Sequence, residues 1–505
     1  MLNISNRREC FFDSYLINEE KTTAERRLHK LRRRETIMEM NMPWEGNVCG
    51  YHCAFFAEGL WRMYYRCSQS GRAEPYVAYA ESRDGISWVR PSLGIVEFEG
   101  SRDNNLILDL KMLRELDYKG FDNMYVFYDE NPQCKPSEKY KMLSMWVGHG
   151  ALLLLVSSDG IHFEMSRTVT KDGEFDSQNI ALWSPELGKY LCYYRGEHDG
   201  DKSTPVCDKS YTDKQAKALL DPEKMLLREP GAGTDAFMRD VRVIESRDFI
   251  DWSEQRRIEA TGADLQFYTN CIMRYPRAPH LLVALPMRYV ERKAWTPTYD
   301  ELCGREARLR RMSGGSLRSG LAITDGLFMC SRDGYSFTKY DEAILPPPPE
   351  NPESFVYGDG FALPALIETP SDIPGADNEY TVLVNEGYRS ELGPNRLVKY
   401  TARLDGFVSR HAGGEEKVII TKPFIYEGGK LFANIATSAR GYAYFTLRCE
   451  AVEFTSYEVF GNSVDKQIHF EGNAVESLSG REVILEVRLF DCDLYAIRFG
   501  EKQSN

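Results

Sequence analysis

A seven-residue motif that recurs along the chain constrains its fold more than any other feature. One copy is Ser331-Arg332-Asp333-Gly334-Tyr335-Ser336-Phe337, and similar heptads occupy 82–88, 157–163 and 246–252, with a degenerate fifth copy at 403–407. The central Asp of each copy lies at position 84, 159, 248, 333 or 405, which gives spacings of 75, 89, 85 and 72 residues. Recurrence at a near-regular period indicates a repeat architecture.

Each copy follows three short segments with strand character. The Gly supplies a turn, Ser and Asp cap its backbone, and the closing aromatic residue leads into a fourth strand. Five four-stranded units predict a five-bladed β-propeller, because radial closure protects the edges of the sheets. After residue 412 the motif stops, and alternating strands predict a small β-sandwich. We therefore expect an all-β chain with an N-terminal arm and blade-closing strand at 1–40, a catalytic propeller at 41–412 and the sandwich at 413–505.

Three regions outside the repeat carry their own predictions. Residues 10–17 have the pattern of a strand that completes the last blade. The charged segment 19–34 is typical of a solvated helix or an irregular arm. Two long insertions are either lids over a functional face or contacts in a homo-oligomer. They span 197–233 and 291–318, and the first contains a short predicted helix over 212–220.

Composition excludes several classes of protein. A net charge of −13 and a pI near 5.3 argue against a nucleic-acid partner, which requires a concentrated basic face. No apolar run is long enough to cross a bilayer, and the N-terminus lacks the apolar stretch of a signal peptide. The twelve Cys residues are scattered without a CxxC pair, so we expect reduced thiols in a cytoplasmic protein without a membrane partner. The aromatic share of 12% suits clefts that bind sugar rings.

Candidate site residues follow from propeller geometry. The innermost strand of each blade lines the central channel, so polar residues at its start are displayed together at one end of the axis. The carboxylates at this place are Glu45, Asp122, Asp176 and Asp359 in blades one, two, three and five, while blade four offers Gln266, Tyr268 and Asn270.

Alignment on the motif adds two further carboxylates. Asp240 and Asp325 each lie eight residues before the central Asp of their blade, where blades one and two have Tyr76 and Ala151. Because the repeat does not require an acid there, these two positions are also candidates. The alternative for each acid is a structural role, since Asp is a common turn residue and Glu45 could cap a loop.

Several carboxylates around one axis suit the cleavage of a glycosidic bond. That reaction needs a proton donor to the leaving oxygen and a second carboxylate acting as base or nucleophile. Crowding of like charges raises the pKa of some of these groups and so supplies a protonated acid near neutral pH.

At these residues the chain resembles the glycoside hydrolase family 32-like proteins of the five-bladed furanosidase superfamily. The resemblance is carried by the Ser-Arg-Asp-Gly turns, Pro43-Trp44-Glu45-Gly46, Phe121-Asp122-Asn123, Phe267-Tyr268-Thr269-Asn270 and, for the last strand of a C-terminal β-sandwich, Leu494-Tyr495-Ala496-Ile497-Arg498-Phe499. It implies the propeller fold and a carbohydrate substrate. The chain departs from the family where Arg-Asp-Pro and the Glu-Cys acid/base pair are expected, so activity on sucrose or fructan does not follow.

The first functional hypothesis is a glycoside hydrolase acting on a small oligosaccharide or glycoside. Its predicted catalytic carboxylates are Asp122 as base or nucleophile and Glu45 or Asp325 as acid. Further acids and the side chains expected to hold sugar hydroxyls are Asp176, Asp240, Asp359, Glu386, Tyr268, Asn270, Arg195, Arg288 and Arg389. We expect no cofactor, and no ligand spacing demands a metal at the axis.

Two other hypotheses stay open. A glycoside phosphorylase would bind phosphate through Arg288, Arg292 and Arg389. A propeller that binds sugars without catalysis would explain the missing acid/base motif of the family.

Overall fold

The computed structural model describes residues 2–69, 75–109, 111–112, 121–198, 238–292, 297–313 and 318–501. Five small sheets are arranged as a five-bladed β-propeller, which confirms the predicted fold class. The helix predicted over 212–220 lies outside the described residues.

Blades one to three are four-stranded antiparallel sheets in chain order. The strands of blade one are Gly50–Ala57, Leu60–Cys67, Tyr76–Ser82 and Leu106–Leu108. Those of blade two are Phe121–Tyr128, Tyr140–Trp146, Ala151–Ser157 and Glu164–Thr170. Those of blade three are Ile180–Ser184, Lys189–His198, Met238–Ser246 and Arg256–Arg257.

Blades four and five are more broken. Blade four comprises Glu259–Ala260, Ile272–Arg274, Leu282–Ala284, Met287–Glu291, Ala322–Ser331 and Ser336–Leu345. Blade five comprises Phe361–Ala362, Ile367–Thr369, Glu379–Glu386, Arg396–Arg403 and Arg32–Glu39. Pro286 and Pro364 stand at the two interruptions, because a proline nitrogen cannot donate to the ladder.

The strand that closes the last blade is not the one predicted. Arg32–Glu39 pairs antiparallel with Arg396–Arg403, whereas Glu9–Cys10 pairs with Ile497 and Ala496 in the C-terminal sheet. The charged segment 19–34 is therefore not a helix, and its Glu25–Leu28 part is a strand paired with Val408–Ala412. Charged side chains suit a strand at the outer edge of a sheet, where they discourage pairing with another chain.

The C-terminal region is all β. Its strands connect with the N-terminal ones into a ten-stranded sheet composed of Leu2–Ser5, Glu9–Cys10, Glu25–Leu28, Val408–Ala412, Lys417–Ile420, Phe424–Tyr426, Lys430–Cys449, Val452–Thr455, Asn462–Ile468 and Glu482–Gly500. The core of this region includes Ile4 and Phe11. Its description as a β-sandwich and the domain boundaries stay predictions.

The described helices are short. They are the 3₁₀ turn Pro136–Glu138 and the α-helices Pro297–Glu301, Arg305–Ser313, Arg318–Leu321 and Ala474–Ser477. In the part of the chain that the structure describes, no helix has the length and apolar character needed to cross a membrane.

The repeated motif caps turns, as predicted. In blade one, Asp84 Oδ1 accepts hydrogen bonds from the backbone N–H groups of Ile86 and Ser87 at 2.8 and 2.7 Å, and Ser82 Oγ accepts one from Gly85 at 2.9 Å. The same bonds recur in the next three copies. These hydrogen bonds lower the pKa of Asp84 against the opposing effect of burial.

Candidate functional site

Glu45 lies in a buried ion pair with Arg90. Its side chain is fully buried, and its carboxylate accepts hydrogen bonds from Tyr65 Oη at 2.6 Å and from Arg90 Nε and Nη2 at 2.9 and 3.0 Å. The backbone N–H of Met42 adds a bond of 3.0 Å. Both carboxylate oxygens are therefore occupied by the protein, which leaves this acid the structural role of fixing its loop.

The two acids found by alignment are also held in salt bridges. Asp240 is 3% exposed and accepts two hydrogen bonds from Arg242, at 2.8 and 2.9 Å, with His198 Nδ1 at 3.0 Å. Asp325 accepts a two-pronged salt bridge from Arg288, whose Nε lies 2.8 Å from Oδ1. Arg288 is therefore also occupied by this salt bridge.

Two further candidates serve the framework. Glu386 binds Arg33 through two hydrogen bonds of 2.8 and 3.0 Å and accepts a third from Tyr400. Asn270 is buried and donates to the backbone oxygen of Gln178 at 2.9 Å, which links the inner parts of blades three and four. Neither contacts the carboxylates described next.

Asp122 and Asp176, from adjacent blades, are brought together. Arg66 Nη1 donates to Asp122 Oδ1 at 2.7 Å and lies 3.4 Å from Asn123 Oδ1. Asn123 Nδ2 in turn donates to Asp176 Oδ1 at 3.0 Å, and Arg195 Nη1 lies 3.7 Å from Asp176 Oδ2. The Asp122 side chain is 30% exposed and that of Asp176 is 69% exposed, so both remain accessible from solvent.

Aromatic side chains complete a ring of contacts around these acids. The guanidinium of Arg195 lies 5.0 Å from the centre of the Tyr268 ring, and the hydroxyls of Tyr268 and Tyr51 are 3.4 Å apart. Arg66 closes the ring, 5.1 Å from the centre of Tyr51. Blade five contributes Tyr357, whose ring centre is 5.0 Å from that of Tyr268. We call the side chains of Tyr51, Arg66, Asp122, Asn123, Asp176, Arg195, Tyr268 and Tyr357 the axial cluster.

Arg389, predicted to hold substrate, lies beside the axial cluster. Its guanidinium is 5.6 Å from the Tyr357 ring centre and 5.4 Å from that of Tyr388. Tyr388 Oη accepts a hydrogen bond of 3.1 Å from Arg66 Nη2. Arg195, Tyr268 and Arg389 are thus near one another, as the sequence predicted, while Arg288 and Asn270 serve other contacts.

Sequence reasoning missed Arg66, Tyr51 and the amide of Asn123. Arg66 is 7% exposed on the second strand of blade one, so a charge inside an apolar strand was the available signal. Tyr51 and Asn123 both have φ of 53°, the left-handed region in which non-glycine residues are uncommon. Such backbone conformations often accompany functional sites but leave no mark in the sequence.

Two side chains have unusual acidity: Tyr268 of the axial cluster and Asp359, on the loop that carries Tyr357. Burial raises the pKa of Asp359 to about 7, although the N–H groups of Val356 and Phe355 and the charge of Arg308 act in the opposite direction. Burial would raise the pKa of Tyr268 as well, but the Arg195 charge and hydrogen bonds with Tyr357 and Tyr51 outweigh it and lower that pKa.

A large cavity lies elsewhere in the described part of the chain. It has a volume of about 910 Å³ between blade five and the C-terminal sheet, and its lining includes His29, Asp377, Arg403 and Tyr495. Among the residues that the structure describes, no group of three or more His, Cys, Asp or Glu side chains could hold a metal ion. We therefore identify the axial cluster as the candidate site from its side chains and not from the volume of a cavity.

The chain matches no family model and no curated protein. Among solved structures it is similar to an N-acetylgalactosamine deacetylase from F. plautii in complex with blood group B trisaccharide, at 12% identity over 74% of this chain and 94% of that chain, with a TM-score of 0.42. A glycosyl hydrolase from Bacteroides ovatus has 13% identity, 75% and 97% coverage and a TM-score of 0.42.

A third similar structure is the exo-β-1,3-galactanase from Phanerochaete chrysosporium, in complex with galactose. It has 7% identity over 91% of this chain and 99% of that chain, with a TM-score of 0.35. Membership of family 32, which the sequence suggested, is not confirmed. At similarities this low, we infer function from the side chains of the site alone.

Proposed function

We propose that this protein is a glycoside hydrolase whose active site is the axial cluster. The observation that carries the proposal is the pair of accessible carboxylates, Asp122 and Asp176, joined through Asn123 and flanked by Arg66 and Arg195. Glycosidic bond cleavage requires two carboxyl groups around the scissile bond, for which we propose Asp122 and Asp359. Of the predicted acids, Asp122 and Asp176 combine solvent access with a hydrogen-bonded link through Asn123.

Asp122 is the proposed base or nucleophile. Its Oδ1 accepts hydrogen bonds from Arg66 at 2.7 Å and from the backbone N–H of Asn123 at 2.8 Å, so the carboxylate is fixed in orientation. A fixed, partly exposed carboxylate suits attack on the anomeric carbon, as a nucleophile, or removal of a proton from the water molecule that attacks this carbon, as a base. Asp176, with its larger exposure, is placed to accept hydrogen bonds from sugar hydroxyls.

Asp359 is the proposed proton donor. A carboxyl group with a pKa of about 7 is substantially protonated at neutral pH, as a general acid must be. It lies two residues after Tyr357, whose ring contacts Tyr268. The tyrosine rings provide flat surfaces against which a sugar ring packs.

The test is hydrolysis of nitrophenyl glycosides, pyranose and furanose, by the purified protein and its Asp122→Asn, Asp176→Asn and Asp359→Asn variants. We expect Asp122→Asn to lower kcat by about 10²–10⁴-fold, the usual contribution of such a group. Glu342→Gln, an exposed position on the outer strand of blade four, is the matched control. Unchanged turnover in Asp122→Asn, beside intact glycan binding, would instead favour the sugar-binding propeller.

The Asp359→Asn variant tests whether Asp359 acts as the proton donor. A good leaving group such as dinitrophenolate departs without a proton, so the variant should lose far less activity on that substrate than on an alkyl glycoside. Equal losses on both substrates would remove Asp359 from the role of acid.

A phosphorylase is the second candidate. Three guanidinium groups, of Arg66, Arg195 and Arg389, surround the site, and guanidinium is a preferred partner of phosphate. Formation of a sugar 1-phosphate that depends on added inorganic phosphate would establish this activity. Release of free sugar at the same rate with and without phosphate supports the hydrolase.

A further inference from the structure

The helix Arg305–Ser313 connects the insertion of blade four to two loops of blade five. Arg308 Nη2 and Nη1 donate to the backbone oxygens of Ser354 and Phe355 at 3.0 and 2.5 Å. Two residues along the helix, Arg310 Nε donates to Glu391 Oε2 at 3.0 Å. The first loop carries Tyr357 to the axial cluster and the second carries Arg389 beside it.

The contact with the first loop is close at two independent places. Arg308 is only 2% exposed, and burying a guanidinium is costly unless its donors find acceptors. Two carbonyl oxygens accept from Nη1 and Nη2, while Nε has no hydrogen-bond partner. At the start of the helix, Gly304 has φ of 79°, and a Cβ there would lie 2.5 Å from the backbone oxygen of Pro352. A side chain at position 304 would therefore push the helix away from the loop.

The carbonyls that Arg308 holds adjoin the groups proposed for catalysis. The N–H of Val356 donates to Asp359 Oδ2 at 3.0 Å, and the N–H of Gly358 donates to Thr324 Oγ1 at 2.9 Å. The Thr324 hydroxyl in turn donates to the backbone oxygen of Asp359 at 2.8 Å. Tyr357 lies between these anchors, so its ring position follows from theirs.

From these contacts we infer that Arg308 is a positioning residue of the axial site. It acts through loop 354–359, which sets the Tyr357 ring and the carboxyl group of Asp359, and it touches no substrate itself. Its consequence for catalysis rests on the proposed function, whereas its hold on the loop does not.

The test is titration of Asp359 by NMR in the full-length protein labelled at aspartate carboxyl carbons, with the signal assigned by its loss in Asp359→Asn. The charged groups acting on this carboxyl are Arg308, which lowers its pKa, and Glu386, which raises it. We expect Arg308→Met to raise the pKa of Asp359 by about one unit, and Arg308→Lys, which keeps the charge, to restore most of the difference.

Arg305→Met is the matched control. It removes the same charge from the same helix, but Arg305 binds Asp300 and Glu306 on the surface and not the loop 354–359, so Asp359 should titrate as in the wild type. Equal titration of Asp359 in Arg308→Met and Arg305→Met would overturn the inference. If Arg308→Met does not fold, Arg308→Lys should still fold. We expect it to lower kcat/KM about tenfold without moving the pH profile. Wild-type kinetics in Arg308→Lys would overturn the inference.

The two proposals fail separately. If the wild type hydrolyses no glycoside while Asp359 shifts in Arg308→Met, the hydrolase proposal fails and the positioning role stands. If the wild type hydrolyses a glycoside and the pKa of Asp359 is unchanged in Arg308→Met, the positioning role fails and the hydrolase proposal stands.

Discussion

At the scale of the residue, environment separates carboxylates that the sequence treats alike. Glu45 and Asp122 both stand near the start of an inner strand, but Arg90 and Tyr65 occupy the first completely while the second keeps an exposed edge. Asp359 belongs to neither group, because it is half-buried and the effect of burial on its pKa outweighs that of its hydrogen bonds and of the Arg308 charge. The local partners, not the residue type, therefore assign the chemical role.

The pKa of Asp359 predicts the pH dependence of activity. The proposed acid must be protonated, so kcat/KM should fall as pH rises through about 7. In Asp359→Asn the remaining activity on a substrate with a good leaving group should lack this alkaline limb. A limb that persists unchanged in the variant would mean that another group controls it.

The same shift predicts a pH-dependent stability. Because the pKa of Asp359 is raised above its usual 3.8, its contribution to stability is fully present below about pH 4 and is lost as pH rises through about 7. Asp359→Asn should therefore gain stability relative to the wild type between pH 5 and pH 8, as measured by urea unfolding at each pH. A constant difference across this range would contradict the shift.

At the scale of the element, the motif turns join neighbouring blades. Tyr193 Oη donates to the backbone oxygen of Gly334 at 2.8 Å, and Tyr64 Oη donates to that of Gly160 at 2.9 Å. In each case a turn of one blade rests against a tyrosine of the preceding one. The glycine is needed both for the turn and for this close approach.

Gly334→Ala should cost more stability than Gly59→Ala. Both glycines have positive φ, 80° and 84°, but a Cβ at 334 would lie 2.5 Å from Leu191 Cδ1, whereas nothing lies within 4 Å at 59. Backbone strain alone costs about 1 kcal/mol, and overpacking adds about 1–3 kcal/mol. Denaturant unfolding of both variants measures the difference, and equal losses would show that the turn does not press on the neighbouring blade.

The repeat made the blades predictable from sequence, because its turns mark every third strand. The interruptions at Pro286 and Pro364 were visible but not interpreted. The strand Arg32–Glu39 was not predicted, because it begins inside the charged segment 19–34, whose composition is typical of a solvated helix or an irregular arm. Of the axial cluster, Asp122, Asp176, Arg195 and Tyr268 were predicted. Arg66 was not, because its role comes from a contact between strands that sequence spacing does not encode.

At the scale of the whole molecule, the degenerate fifth motif joins the propeller to both chain ends. Asp405 is fully buried, and its carboxylate binds Arg8 at 3.2 Å, Arg277 at 3.1 Å and Tyr275 Oη at 2.8 Å. Asn434 of the C-terminal sheet lies 3.4 Å away. The Asp that caps a turn in four blades is here the centre of a buried network.

Asp405→Asn should destabilise the protein by about 3–5 kcal/mol, because it removes the carboxylate that binds Arg277 and one of the two that bind the buried Arg8. Asn tolerates the left-handed backbone at this position, where φ is 56°, so backbone strain does not add to the measured loss of stability. Asp159→Asn, the equivalent position on an exposed turn, should cost about 1 kcal/mol in the same unfolding experiment. Similar losses in the two variants would contradict the central role of Asp405.

A crystal structure of Asp122→Asn with the nitrophenyl glycoside that the wild type hydrolyses fastest would show whether substrate binds at the axial cluster. We predict a sugar ring against Tyr268, within hydrogen-bonding distance of Asp176. A sugar bound in the cavity between blade five and the C-terminal sheet, with none at the axial cluster, would contradict the proposed active site.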